Sequence, residues 1–561
     1  MASSQAKAPP IKQQYLEADM FDFKLLYKAP QINPATGKAL SIPVLNPLNP
    51  FGICFHLAWL GFFVSFLSWF AFPPLLAHSI KKDLKLTPVD IGNNNIAGLS
   101  ATLIGRVIMG PICDKIGPRY AMAAVLFFGA IPTAFVPLVY NVNDLHAIRF
   151  FIGLLGSSFI PCQVWTTTFF DKSIVGTANA FAGGFGNAGG GVAFFMMPAI
   201  MNGLKDRGYN THQSWSYSFI VGPLIILIFI AVMCILFGQD CPEGKWSQRG
   251  DVLEIGVDVR TVEFVSISSN HPVLSNNAVV SNKGHHATDD KITANIDDKL
   301  DSSSADADGP EEITNVETRV ADVVDLKQIV EDPTLMGFLR TTFHYRTMLV
   351  ALPYIATFGG ELAIESVLSA LYLQRSGGAW GESKSGSWAS MIGLLNVVTR
   401  PFGGIVSDIL YRRFKTTRVK KFWLLTCCFM EGLFLLWIGL VPESKLGVHS
   451  LIASISVMCI FMEAGNGACF SLVPHINPKN VGIVAGTTGA FGNMGGIFFA
   501  LVFRYSMHAN HTNNYMKGFW IIGVCSMAIA VVCAFIPVKE DKLEDHAVAG
   551  TVVKSDHAQK V

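Results

Sequence analysis

The stretches RVIMGPICD (106–114) and RPFGGIVSD (400–408) share one frame, Arg-x-x-x-Gly-x-x-x-Asp, in opposite halves of the chain. In each, the Arg precedes the closing Asp by about two helical turns, which puts it inside an apolar run rather than at its edge. A second pair repeats beside the first: AGGFGNAGGG (182–191) and GTTGAFGNMGG (486–496). An Arg at the centre of a bilayer costs about 3 kcal/mol, so drift does not explain one kept at the same depth twice. Two matching halves around embedded polar groups are the signature of a secondary transporter with its site near the midplane.

The rest of the composition is built for lipid. Of 561 residues, 51% are hydrophobic and 15% charged, with a mean hydropathy of +0.41; soluble domains carry about 25% charge. Forty-two basic residues against forty-one acidic ones leave a net +1, with no excess to hold nucleic acid by its phosphates. Most of the eleven Cys sit in apolar runs without metal-ligand spacing, which argues against a disulfide scaffold, a metal site or a cofactor. No nucleophile–base cluster accompanies the apolar runs, so an enzyme is not expected.

Runs of about 20 apolar residues, each enough to cross a bilayer as helix, begin near Ile53, Ile91, Tyr120, Leu145, Gly176 and Trp215. A second set begins near Thr347, Ser387, Lys421, Gly447, Val481 and Lys517. The expected fold is an all-α membrane protein of twelve transmembrane helices in two pseudo-symmetric six-helix bundles. Its parts are an N-terminal segment (1–52), one bundle (53–237), a long loop (238–346), the second bundle (347–538) and a tail (539–561). Residues 289–332 hold fourteen acids and four bases, a composition that does not bury enough apolar surface to fold. Ser302, Ser303 and Ser304 stand beside acids there, which suits phosphorylation and regulatory partners.

Basic residues in the short loops set the orientation. Arg412, Arg413, Lys415, Arg418, Lys420 and Lys421 cluster after the eighth run without an acid, while Asn141 to Leu145, after the third, carries no base. Both termini and the long loop are thus expected in the cytoplasm. The sequon Asn510-His511-Thr512 falls outside, in agreement.

Within the runs, ionisable residues are few. Arg106 and Arg400 face the interior, and the acids are Glu361, Glu365, Glu431 and Glu463, all in the C-terminal half. Two inward cations with little compensating charge imply an anionic substrate. Asn187 and Asn493 bring amide donors into glycine-lined surfaces that otherwise serve close helix packing. Proton-accepting candidates are Glu463, Glu361, Glu365 and His56, since burial raises a carboxyl toward working pH and His already titrates near neutrality.

The paired glycine–asparagine motifs resemble the signature of the nitrate/nitrite porter family within the major facilitator superfamily. GPICDKIGPR (110–119) is similar to that superfamily's turn between spans 2 and 3, and RFFIGLLGSSFIPCQVW (149–165) and LPYIATFGG (352–360) are similar to the family's spans 4 and 7. The long loop resembles the fungal high-affinity branch, and Phe185 and Phe491 depart from the Trp or Leu that many members carry. The resemblance implies the major facilitator fold and nitrate held between Arg106 and Arg400, with Asn187 and Asn493 as the signature asparagines. It further implies Phe159 and Phe358 against the planar anion, Tyr354 as a hydroxyl donor, and proton-coupled import at the plasma membrane. Nitrite or another small inorganic anion, or a nitrate sensor signalling through the acidic loop, would use the same features.

Overall fold

The computed structural model describes residues 23–33, 36–242, 244–248, 334–377, 379–380, 382–506 and 514–538. The acidic stretch 289–332 and the sequon at 510–512 lie outside the described residues.

Twelve long helical segments run through the described residues. In the first half they are α1 (Pro50–Trp69), α2 (Pro88–Ile116), α3 (Pro118–Ala134), α4 (Val142–Phe169), α5 (Val175–Asp206) and α6 (Thr211–Phe237). In the second they are α7 (Tyr345–Arg375), α8 (Met391–Phe414), α9 (Arg418–Leu440), α10 (Val448–Ile476), α11 (Val481–Tyr505) and α12 (Tyr515–Ala534). Each begins within about one turn of the apolar run that announced it. Among the described residues, eleven helices are long and apolar enough by themselves to cross a membrane. The twelfth, α5, is diluted by its glycines and asparagines and is held instead by its neighbours, which bury most of its length.

Local chemistry sets the helix ends. Thr87 caps α2 in a reciprocal capping box with Asp90, and Pro88 occupies the first turn, where a missing N–H costs nothing. Asn210 and Gln213 do the same for α6. Between α2 and α3 the chain turns at Gly117, whose φ of 88° is a backbone conformation an L side chain disfavours. α4 passes through a 3-10 turn, Leu154–Ser158, beside Arg106, and α6 through a π turn, Ile220–Leu224.

The chain enters α1 and leaves α12 at the same end, here termed proximal. Short approaches join the halves from that end to mid-depth. α5 of the first bundle lies along α8 of the second, and α11 along α2. Glycine makes this possible: a Cβ on Gly404 would lie 2.3 Å from the Gly176 carbonyl, and one on Gly110 would lie 2.6 Å from that of Gly482. The two repeated Asp residues finish the seam. Asp114 accepts the N–H groups of Gly482 and Ile483 (2.9 and 3.0 Å), and Asp408 accepts the Thr177 N–H and hydroxyl (2.6 and 2.8 Å). Each carboxylate thereby satisfies orphan donors at the first turn of a helix in the opposite half.

Candidate functional site

Arg106 and Arg400 meet at the centre of this seam. Both are fully buried, at 0 and 1% exposure, and both guanidinium carbons approach the Phe159 ring, at 5.1 and 5.3 Å from its centroid. Arg106 also lies 4.9 Å from the Phe358 centroid, so its planar head is bracketed by two phenyl rings. Its Nε donates to Gly156 O and its Nη1 to Gly489 O, both at 3.0 Å. Its Nη2 is buried without a hydrogen-bond partner.

Arg400 is held differently. Its Nη2 donates to the Tyr354 hydroxyl at 3.1 Å and its Nη1 to Asn396 Oδ1 at 3.5 Å. Tyr354 stacks on Phe358 (5.0 Å, 6°) and lies parallel to Phe159 (6.5 Å, 8°), while Phe470 meets both Tyr354 and Phe159 edge-on. On α7, Tyr354, Phe358, Glu361 and Glu365 follow one another at spacings of four, three and four, which lines them along one face.

The glycine motifs serve the arginines of the opposite half. A Cβ on Gly183 would fall 2.9 Å from Arg400 Nε, and one on the repeat-equivalent Gly489 would fall 2.9 Å from Arg106 Cδ. One turn on, Gly186 admits Phe62 and Gly492 admits Tyr354 and Phe358. The signature asparagines stand behind the pair. Asn187 Nδ2 donates to Asn396 Oδ1 at 3.1 Å, and Asn493 Nδ2 donates at 3.0 Å to Gly489 O, the carbonyl that also receives Arg106.

The acids divide into two groups. Glu361 Oε1 accepts from Asn396 Nδ2 at 2.9 Å and its Oε2 from Asn466 Nδ2 at 2.8 Å; that nitrogen is also 3.4 Å from Glu463 Oε2. Glu365, partly exposed, sits one turn further from the proximal end. Glu431 is fully buried on α9, both its oxygens lack hydrogen-bond partners, and it approaches Gly360 rather than the arginines. His56 is elsewhere. Its Nδ1 accepts from Trp59 Nε1 at 3.0 Å, which leaves Nε2 to donate to Val44 O at 2.8 Å. The imidazole thus ties the segment before α1 to that helix and is not brought to the arginine pair.

Three residues of this region escaped the sequence. Asn396 stands one turn before Arg400 and Asn466 one turn after Glu463, spacings that put each amide on its partner's face. Arg149 on α4 is a third buried Arg, 5% exposed, donating to Trp69 O and lying 5.3 Å from the Phe72 ring. It closes the carbonyl end of α1, where a cation is favoured. Among the described residues no group of three or more His, Cys, Asp or Glu could hold a metal ion.

Comparison with known proteins adds identity to this geometry. Residues 58–500 match the model of the Major Facilitator Superfamily. The chain is 30% identical to Nitrate transporter 2.1 of Chlamydomonas reinhardtii over 91% of its own length and 79% of that protein. It is also 30% identical to Elsinochrome transporter 1 of Elsinoe fawcettii, over 91% and 97% of the two chains. Among solved structures, the proton:xylose symporter XylE superposes with a TM-score of 0.57 at 13% identity, covering 88% of this chain and 98% of that one. Identity that low speaks for the fold alone. The chain is a multi-pass membrane transporter rather than an enzyme, and it belongs to the nitrate/nitrite porter family of the Major Facilitator Superfamily.

Proposed function

We propose that the protein imports nitrate, and nitrite in its place when that is supplied, across the plasma membrane together with protons, by alternating access around Arg106 and Arg400. The observation that carries this reading is the arginine pair itself: two buried guanidinium groups at repeat-equivalent positions share one phenyl ring, and Arg106 Nη2 has no partner. Nitrate is flat, singly charged and only accepts hydrogen bonds, and a guanidinium is a flat fork of donors matched to two oxygens at once. Phe159, Phe358 and Tyr354 supply flat walls that exclude water. The tight burial favours a small ion, and the name of the Chlamydomonas relative supports nitrate. Because a relative of equal identity is named for a different cargo, substrate must be decided at these residues.

Proton coupling follows from charge. An anion entering a cell that is negative inside is opposed by about 2.3 kcal/mol per 100 mV, so uptake from dilute solution needs a cation. With Glu361 ionised, two arginines and one carboxylate leave the site at +1. An anion entering with one proton on Glu361 restores that same balance, and a second proton carried with each nitrate makes the net charge moved inward positive. Glu365 lies on the same face one turn outward and offers a first stop for the proton, and Glu463 shares the Asn466 amide with Glu361. In the orientation set by the basic loops the proximal end is cytoplasmic, both termini lie inside, and Asp114 and Asp408 seal the inner gate. The acidic loop would then meet regulatory partners in the cytoplasm.

Purified protein in liposomes, given labelled nitrate with and without an inward proton gradient, tests this. Uptake should rise with the gradient, and nitrate should evoke inward current in voltage-clamped cells. Outward current together with insensitivity to a protonophore would overturn the coupling, and failure of nitrite to compete would confine the substrate to nitrate.

A further inference from the structure

Asn396 is used at both ends. Its oxygen accepts from Arg400 Nη1 and from Asn187 Nδ2, and its nitrogen donates to Glu361 Oε1. It is fully buried, so water does not compete for these bonds. The amide also has an enforced direction. Flipped, it would set an oxygen against the Glu361 oxygen and an NH2 against the guanidinium, losing all three contacts. A neutral dipole therefore lies between a cation and a carboxyl, aligned to favour the charged form of each.

We propose that Asn396 is the positioning residue through which anion occupancy at Arg400 sets the protonation of Glu361; the inference rests on the proton-coupled reading above. Without an anion, Arg400 polarises the amide, and the amide's N–H holds Glu361 as a carboxylate. An anion on Arg400 withdraws Nη1 and cancels the nearby positive charge. Glu361 then loses the partner that favoured its ionised form, and its oxygen takes up a proton from the side open to solution. Linkage makes the effect reciprocal, so a protonated Glu361 strengthens anion binding by the same factor. Anion and proton thus load together and leave together, as symport requires.

The other ionisable groups around Glu361 do not replace this route. Arg106 on α2 and Tyr354 and Glu365 on α7 interact with it through space, as do Glu431 on α9 and Cys459 on α10, while Glu463 on α10 contacts it directly and shares its Asn466 partner. Of the two arginines, the described hydrogen bonds link only Arg400 to Glu361 through one intervening side chain, that of Asn396; Glu463, which reaches Glu361 through the Asn466 amide, carries no positive charge for an anion to cancel. The first half has no counterpart. The residue one turn before Arg106 is Thr102, whose hydroxyl is turned to Gly98 O and Gly153 O.

The test uses the full-length protein in liposomes and in voltage-clamped cells, comparing wild type with Asn396→Leu and Asn396→Ser. Nitrate–nitrate exchange, the KM for nitrate at acid and alkaline external pH, and charge moved per nitrate are read for each. In wild type, KM should rise with pH by a factor within the roughly 5–150-fold span of ordinary coupling. Both variants should still exchange nitrate, at reduced affinity, while the pH dependence of KM shrinks to about twofold or less and charge per nitrate falls. Variants that keep the wild-type pH dependence and charge ratio would overturn the relay. So would loss of exchange in both, which would make Asn396 a holder of the anion or the fold. A wild type indifferent to the proton gradient would instead overturn the parent reading.

Discussion

Arg106 commits two of its nitrogens to carbonyls on different helices, Gly156 O on α4 and Gly489 O on α11. Its head is therefore oriented before any ligand arrives, with Nη2 left over. Lysine keeps the charge but is a flexible point donor that does not reproduce the fork. Arg106→Lys should raise the half-saturation constant for nitrate about tenfold or more, the scale of one lost charge-assisted bond, with expression near wild type. An unchanged constant would refute the bidentate reading. Gly489→Ala acts on the same Arg from behind: its Cβ would fall 2.9 Å from Arg106 Cδ and 3.2 Å from Ile160 Cδ1. Nitrate affinity should fall with little change in melting temperature, because the atom displaced belongs to the binding side chain and not to the helix backbone. A large loss of stability with affinity intact would count against this role.

At the level of helices, the glycines at the crossings make the opposite prediction. A methyl on Gly404 would be driven into the Gly176 carbonyl at 2.3 Å and the Ala180 methyl at 2.5 Å, and neither helix axis yields cheaply. Gly404→Ala should cost about 1–3 kcal/mol as overpacking, read as a lower melting temperature. It should also shift the protein away from the form closed at its proximal end, read as greater labelling of cysteines placed along that seam. Where α6 ends, Asp240 is buried against the turn between α2 and α3, one oxygen 2.9 Å from where a Gly117 Cβ would be. Burial pushes its carboxyl up to about 6 despite the pull of Arg119. A carboxyl whose pKa is higher folded than unfolded stabilises the fold fully below its unfolded value, near 4, and withdraws that stability as pH rises through about 6. Asp240→Asn should therefore raise the melting temperature above pH 7 and change it little near pH 4. Equal shifts at both would show that the carboxyl is not the cause.

Across the whole molecule, the fold was legible because its signals are local or repeated. Twelve apolar runs, capping residues such as Thr87 and two echoed motifs need no knowledge of partners. The arginine pair was legible for the same reason, since charge in lipid stands out wherever it falls. What stayed hidden is pairwise. Nothing in Asn396 or Asn466 says that their amides meet at Glu361, and Gly183 gives no sign that it faces Arg400 of the other half. Nor does His56 announce that its ring bridges Val44 O and Trp59 rather than facing the arginine pair. The repeated motif is equally silent on what Asp408 pairs with. Asp408 carries a buried partner, Lys420, at 2.8 Å with both side chains at 0% exposure. Removing one member of such a pair strands the other and costs about 3–5 kcal/mol, whereas replacing both with apolar residues of similar size is often nearly neutral. Asp408→Asn should accordingly lower the melting temperature far more than a substitution of an exposed acid does. Adding Lys420→Met to Asp408→Asn should recover most of the loss, because the stranded ammonium is gone while the Asn oxygen can still accept from Thr177. A double variant no more stable than Asp408→Asn alone would mean that the helix-capping contacts to Thr177, and not the ion pair, hold this side of the seam.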